Sequence, residues 1–389
     1  MRRGLWIMLF DLDESQKMLK QTVRELSERY IKPRASDIDE KEEYPEDIFQ
    51  LLKEHELLGI FLPEEYDGSG MGFLGGCIVI EEIAKFCSNS PLFIVLNMLS
   101  SRIIQLSGNP EQKDQYLKGL AKGELRGSYA LTEPHAGSDA GNIRTRASLE
   151  GEEWVLNGTK CYCSGPDKAD FITVAAKTDF NAGTKGITYF IVPTNTDGFS
   201  IGRHEKKMGM KGISTCVLNF ENVAIPKENQ IGELNKGFKS AMIGFNQMRP
   251  AIGARAVGLA QGCFDYAKNY SKEREAFGTS ISNFQAIQFM LADMFMQIEA
   301  SRLLVHKAAS LVDTGQIGKE NARYFSTAKT FAADMAMKVA IDSIQILGGA
   351  GYMKDHPLER FMRDAKQIQI VEGTSQIQRL IIARNLLDA

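Results

Sequence analysis

The chain has 389 residues, with 46 lysines and arginines against 49 aspartates and glutamates, a formal net charge of −3, and 43% hydrophobic residues. So even a balance excludes the one-sided basic field that nucleic acid or an anionic membrane surface calls for. The length predicts roughly two or three domains with sizeable cores, and no stretch approaches the ~20 apolar residues of a membrane span. The expectation is a soluble, cytoplasmic protein.

In chain order, "MRRGLWIMLF" joins a basic end to a short apolar run that Asp11 cuts off too early for a signal peptide. From about 12 to 125 the pattern is helical. "DESQKMLKQTVRELSERYI" places Met18, Leu19, Val23 and Leu26 on one face behind Asp13 as a cap. "EDIFQLLKEHELL" and "CIVIEEIAKF" continue the same period. Inside this zone "GMGFLG", residues 70–75, matches the dinucleotide fingerprint letter for letter. No convincing buried strand precedes it and no βαβ unit surrounds it, so a glycine-rich surface loop is expected.

From about 126 to 235 the period becomes two. "EEWVLNGTKCYC" contains Asn157-Gly158, a strong hairpin signal. "DFITVAAKT", "GITYFIVP" and "CVLNFENVAIP" are rich in β-branched and aromatic residues between Gly, Pro and Asn. "YALTEPHAGSDA", residues 129–140, reads as a loop whose hydroxyls and amides can face an anion or the edge of a planar ring. "KCYCSG", 160–165, puts Tyr162 and Ser164 on one face of a strand. The six cysteines make neither a zinc nor a disulfide framework, and reduced thiols are expected. No HExxH, GxSxG or Walker loop occurs, and no metal site is expected.

From about 236 onward long helical segments return, enough for a bundle of near-parallel helices. "REAFGTSISNFQAIQ", 274–288, and "QILGGAGY", 345–352, add an arginine, aromatic rings and a glycine cluster that permits close backbone approach. The order α, β, α counts against a Rossmann enzyme. It predicts an α+β multidomain chain: an N-terminal helical domain over 1–125, a middle domain with a compact antiparallel sheet or barrel over 126–235, and a C-terminal helical bundle over 236–389. Last comes "QIQIVEGTSQIQRLII", residues 367–382, where a lone acid, Glu372, precedes Gly373, Thr374 and Ser375. One reading is a solvated acid near a helix capped by Thr374 or Ser375, worth roughly a few tenths of a kcal/mol. The other is a functional carboxylate. The pattern alone leaves both open.

Together "YALTEPHAGSDA", "QILGGAGY" and "RDAKQIQIVEGTSQIQR" resemble the signatures of the acyl-CoA dehydrogenase family, in the family's order and over nearly the whole chain. The resemblance makes the middle domain an antiparallel β-barrel domain and the C-terminal one a four-helix bundle, and it implies noncovalent FAD with its ring between the two. Tyr129, Leu131, Thr132, Gly137 and Ser138 would border the flavin or its phosphates, and Ser138 the substrate as well. Tyr162 would lie against the ring, Ser164 near N5, and Thr374 and Gln376 on the adenosine side. Arg274, Phe277, Gln285, Gln345 and Gly349 would complete the FAD site of a neighbouring subunit in a homotetramer, a dimer of dimers. Asn246 and Arg249 would contact CoA, and Gly373 would leave space for the thioester.

The same resemblance makes Glu372 the base that takes the proton α to the thioester while a hydride leaves the β carbon for flavin N5. Electrons would then pass to an electron-transfer flavoprotein. Some members carry the base in the stretch corresponding to "FNQMRP", where Met248 cannot accept a proton. A carboxylate beside Val371, dried by substrate, should have the raised pKa that suits a general base. The chain departs from the family's common pattern at Val371, where Tyr is usual, at Gly165-Pro166 and at His135. Val371 either enlarges the pocket for branched or cyclic acyl groups or is a neutral packing change. The acyl group stays open: short, branched or cyclic. Two alternatives stand beside this reading. One is an acyl-CoA oxidase-like enzyme, whose typical forms carry a further C-terminal domain where this chain stops at Ala389. The other is a catalytically silent flavoprotein or binding subunit, against which Glu372 argues. Met1 to Ile7 are expected to be dispensable, since the run from Met8 reads like the ordinary family beginning.

Overall fold

The computed structural model describes residues 12–387; the expectation for Met1 to Ile7 lies outside them. The first zone holds α1 (Glu14–Leu26), α2 (Ala35–Lys41), α3 (Glu46–Glu54), α4 (Gly72–Ala84), α5 (Leu92–Ser107), α6 (Pro110–Gln112) and α7 (Lys118–Ala121). Asp13 caps α1 as expected. Its carboxylate accepts from Gln16 N at 2.8 Å, and the Gln16 side chain accepts from Asp13 N at 3.1 Å. Val23 and Leu26 are buried and Leu19 packs beside them, but Met18 is 67% exposed. Positions 19, 23 and 26 form one stripe at helical spacing, whereas residue 18 points about 100° away from its neighbour.

"GMGFLG" is not the surface loop expected. Gly72 opens α4, which is buried on nearly every side. The backbone N–H groups of Phe73 and Leu74 donate to the Asp313 carboxylate at 2.6 and 3.0 Å. A helix start whose amides already hold a carboxylate offers no phosphate site.

The middle zone is one sheet of β1 (Gly127–Ala130), β2 (Arg146–Glu150), β3 (Glu153–Ser164), β4 (Phe171–Lys177), β5 (Ile187–Pro193), β6 (Phe199–His204), β7 (Thr215–Pro226) and β8 (Gln230–Ile231). The order is β6-β7-β3-β2-β4-β5-β8, with β1 beside β4. Every ladder is antiparallel except those of β1 and β2 with β4. The hairpin expected at Asn157-Gly158 is corrected. β2 and β3 turn at Gly151-Glu152, where Gly151 has φ 64°, and Glu150 pairs with Glu153. Asn157 and Gly158 lie inside β3 at a bulge. There a Cβ on Gly158 would come within 2.6 Å of Thr145 Oγ1, so the glycine answers crowding rather than chain reversal.

The last zone holds α8 (Gly237–Glu273), a small hairpin of β9 (Glu275–Ala276) and β10 (Thr279–Ser280), then α9 (Gln285–Asp313), α10 (Ala322–Leu347), α11 (Leu358–Ile368) and α12 (Ser375–Leu387). A Cβ on Gly258 would sit 2.1 Å from Glu81 O, and one on Gly262 would sit 2.1 Å from Lys85 O. Glycines four apart thus let α8 pack backbone to backbone against α4. One apolar cluster consequently runs through both helical zones.

α11 is tied to the other two zones. Arg363 donates to both Asp39 oxygens at 2.9 and 2.5 Å, and Asp364 accepts Met210 N at 2.6 Å. The helix that leads into Glu372 therefore has a fixed origin.

Candidate active site

Between α11 and α12 the chain turns through residues 369–374. Thr374 is the N-cap of α12, its Oγ1 accepting from Ile377 N at 3.2 Å. Glu372 and Gly373 are both left-handed, with φ 52° and 88°. For glutamate that conformation is uncommon and persists only where the surroundings hold it. Lys329 Nζ donates to Gly373 O at 2.9 Å, and Gln378 Nε2 donates to the carbonyls of Glu372 and Gly373 at 3.1 and 3.2 Å. Asp334 accepts from Gln369 Nε2 at 2.7 Å and Ser375 Oγ at 3.1 Å, pinning both flanks of the turn. Arg255 Nη2 reaches Gln367 Oε1 at 2.7 Å.

The carboxyl this turn presents is unusual. Glu372 Oε2 is shut off from solvent and has no hydrogen-bond partner. Burial pushes the carboxyl up to about 7, against the opposing fields of Arg255, Lys329 and Arg249. The same burial lowers Lys329 to about 8 and each of the two arginines to about 10. Tyr129 also lies within the Glu372 field, and its phenol, pushed well up by burial, meets the Tyr189 hydroxyl at 2.5 Å. The solvated-acid reading therefore fails for Glu372, while the capping half of it holds for Thr374.

Arg249 is 5% exposed and donates from Nη1 to Asn246 Oδ1 at 2.5 Å and Ser326 Oγ at 2.8 Å. Its charge sits inside, beside Glu372. Pro250 follows it within α8 and lacks the N–H that would otherwise bond Asn246 O.

On the sheet side, Tyr129, Leu131 and Thr132 are half-buried, while Gly137 and Ser138 are exposed. A Cβ on Gly137 would meet nothing within 4 Å. Two residues that the motifs did not single out hold this loop. Glu133 accepts from Lys160 Nζ at 2.7 Å, Arg144 N at 2.6 Å and Thr145 N at 2.9 Å. Lys160 Nζ also donates to Leu131 O at 2.9 Å. Tyr162 is 68% exposed, with φ 57° at a bulge in β3, and Ser164 is half-buried at the end of that strand. Cys161 and Cys163 alternate with them on the buried face.

Arg274, Gln285, Gln345, Gly349 and Gln376 are exposed. Phe277 is 97% exposed at the tip of the β9–β10 hairpin, with φ 53°. Among the described residues no side-chain hydrogen bond ties any of them to the Tyr129–Glu372 group. A bare ring at Tyr162, hydroxyls at Thr132 and Ser164 and an open glycine at 137 suit a planar, phosphate-bearing cofactor, while the orphaned carboxyl of Glu372 is a proton acceptor without a partner.

Three family models match the chain in succession: "Acyl-CoA dehydrogenase, N-terminal domain" over 13–124, "Acyl-CoA dehydrogenase, middle domain" over 128–223, and "Acyl-CoA dehydrogenase, C-terminal domain" over 235–387. The chain belongs to the acyl-CoA dehydrogenase family. Its three-domain fold is that family's, and the chain is an enzyme of the acyl-CoA dehydrogenase class. It is 46% identical over 380 residues to "Probable acyl-CoA dehydrogenase fadE25" of Mycobacterium leprae, covering 97% of each chain. It resembles a chain in the solved structure described as "Electron transferring flavoprotein of Acidaminococcus fermentans: Towards a mechanism of flavin-based electron bifurcation". That match has 40% identity and a TM-score of 0.95, over 98% of this chain and 100% of the other. It also resembles the butyryl-CoA dehydrogenase of Megasphaera elsdenii, with 37% identity and a TM-score of 0.93, over 97% of this chain and 99% of that one. Among the described residues no helix of this acyl-CoA dehydrogenase is long and apolar enough to cross a membrane.

Proposed function

We propose that the chain is an FAD-dependent dehydrogenase converting an acyl-CoA thioester to its 2-enoyl-CoA, with Glu372 as the base. The supporting observation is the buried, unpartnered Oε2 of Glu372 beside Tyr129 and three cations. A carboxyl raised to about 7 is well matched to accept a carbon-bound proton at neutral pH. The α C–H bond breaks and its proton goes to Oε2. FAD, when bound, accepts the hydride that leaves the β carbon.

Tyr129, Leu131, Thr132, Gly137 and Ser138 would hold the cofactor from the sheet, with Tyr162 against its ring and Ser164 beside the ring edge. Thr374 spends one lone pair on capping α12 and keeps its O–H to donate. Gln376 lies exposed two residues further on. The place a Cβ of Gly373 would take is filled by the Gln378 amide, so Gly373 would offer the thioester its backbone rather than an empty side-chain space, and Ser138 and Asn246 would border the substrate. Arg249, being interior, serves by its field on Glu372 more than by reaching the CoA nucleotide.

Arg274, Phe277, Gln285, Gln345 and Gly349 would complete the site of a neighbouring copy in a homotetramer. Support comes from bare apolar side chains on the same bundle, including Phe289, Phe295, Met296 and Tyr352 at 63%, 54%, 59% and 80% exposure. The acceptor would be an electron-transfer flavoprotein, a reading supported by the Acidaminococcus fermentans structure. The substrate would be a short, branched or cyclic acyl-CoA, supported by the butyryl-CoA dehydrogenase likeness and by the small Val371. Six free, buried thiols suit a cytoplasmic setting.

The test is anaerobic mixing of the yellow protein with a panel of straight, branched and cyclic acyl-CoA esters. Rapid flavin bleaching, without oxygen uptake under air, is expected. Glu372→Gln should keep FAD and bind acyl-CoA but reduce its flavin at least ~10²-fold more slowly. A colourless protein that refuses FAD, or a Glu372→Gln variant as fast as wild type, overturns the reading.

A further inference from the structure

We propose that Lys329 is the positioning residue for Glu372: it clamps the left-handed turn through the Gly373 carbonyl and sets the charge the carboxyl faces. This rests on Glu372 being the base.

Lys329 lies on α10 with its side chain wholly buried. Interior lysines are costly, because desolvation penalises the ammonium. A backbone carbonyl does not require a cation, since any neutral donor satisfies it. Yet the hydrogen bond described for Nζ is the one to Gly373 O, at 2.9 Å. What does require a cation is the carboxyl next door. Among the charges acting on Lys329, Glu372 is the foremost, ahead of Arg255, Arg249 and Asp334.

The turn also needs a clamp. Glu372 at φ 52°, followed by Gly373 at φ 88°, is a non-glycine residue in a conformation that Cβ crowding disfavours and that persists only when neighbours hold it. Gln378 holds the Glu372 and Gly373 carbonyls from the α12 side, and Lys329 holds the Gly373 carbonyl from α10. One side chain thus fixes where the carboxyl points and supplies part of the field in which it ionises. Among the described residues, the titratable groups coupled to Glu372 by charge are Arg249 and Arg255 on α8, Lys329 on α10 and Tyr129 on β1. Each cation favours the carboxylate, so removing one raises the pH at which Glu372 ionises.

Three variants of the FAD-loaded protein separate the two roles: Lys329→Met, Lys329→Gln and Lys329→Arg, with Glu372→Gln as reference. The readouts are the anaerobic flavin-reduction rate at saturating acyl-CoA against pH, the KM, and the pH midpoint of the carboxyl infrared band that Glu372→Gln abolishes. The last is measured without substrate. Lys329→Met should slow reduction roughly 10-fold or more with little change in KM, because a misaimed base costs rate rather than binding. Its infrared midpoint should rise by roughly one pH unit. Lys329→Gln keeps a donor for Gly373 O, so its rate at high pH should approach wild type while the midpoint still rises. Lys329→Arg should restore both.

An unchanged midpoint and rate in Lys329→Met would reduce Lys329 to packing. Should that variant fail to fold, an unchanged midpoint in Lys329→Gln overturns the charge role by itself. A fully active Glu372→Gln would instead sink the assignment of the base, leaving the infrared midpoints to judge this proposal independently.

Discussion

A glutamic acid that ionises near pH 7 is also a thermodynamic liability. The folded chain raises Glu372 from its usual 4.5 to about 7, so the native state favours the protonated form. Stability is therefore lost as pH climbs from the unfolded value through about 7, and the loss is complete above it. The span corresponds to a cost on the order of 3 kcal/mol at most. Glu372→Gln should thus be more stable than wild type at pH 8, and the advantage should shrink towards pH 5. Thermal melts across that range check it; a constant difference would mean that the carboxyl is not desolvated. Flavin reduction should move the other way with pH, rising as Glu372 ionises. This acid was legible in the sequence because it stands alone in a recognisable motif. Lys329, Arg255 and the Glu133–Lys160 pair were not, since a buried cation and a surface cation are the same letter. Burial is a property of the whole fold.

At the scale of elements, local chemistry was read correctly where it is local. Asp13 caps α1 as expected, with Gln16 closing a box around it that was not part of that expectation, and Thr374 caps α12. Thr374→Ala should cost about 1 kcal/mol in denaturant unfolding. It should also slow flavin reduction, because the cap anchors one flank of the Glu372 turn; a variant with unchanged stability would show the cap to be ornamental. Asn157-Gly158 and "GMGFLG" misled for one reason. Gly158 answers to Thr145 and Gly72 to the Asp313 carboxylate, and a window of ten residues holds no trace of either. The α4–α8 seam makes the same point quantitatively. Gly258→Ala would drive a Cβ to 2.1 Å from Glu81 O, a backbone atom that cannot swing aside. A loss of roughly 1–3 kcal/mol is expected in urea unfolding, and a neutral result would show that the two helices can slide apart freely.

For the molecule as a whole, the order of helical, sheet and helical zones was plain from the change of period, because periodicity is set residue by residue. Which exposed residues would serve another copy, in the proposed assembly, could not be read from any period. Arg274 and Phe277 lie exposed at the β9–β10 hairpin, and among the described residues no side-chain hydrogen bond ties them to the Glu372 group. Arg274→Ala should accordingly lower FAD retention on a desalting column more than it lowers the flavin-reduction rate of the loaded fraction. Equal retention would remove the hairpin from the cofactor site. The glycine seam between α4 and α8 has a separate consequence for recombination. The amino-terminal and carboxy-terminal helices share a single interior, so neither can be exchanged as a module. A chimera that takes its first third from a distant relative must import a matching α8 surface along with it. The sheet is separable only in part: one of its apolar clusters is its own, but the other takes in Ile103 and Ile104 of α5, Leu120 of α7 and Ala241 of α8, so a transplanted sheet must bring complementary faces for those helices too.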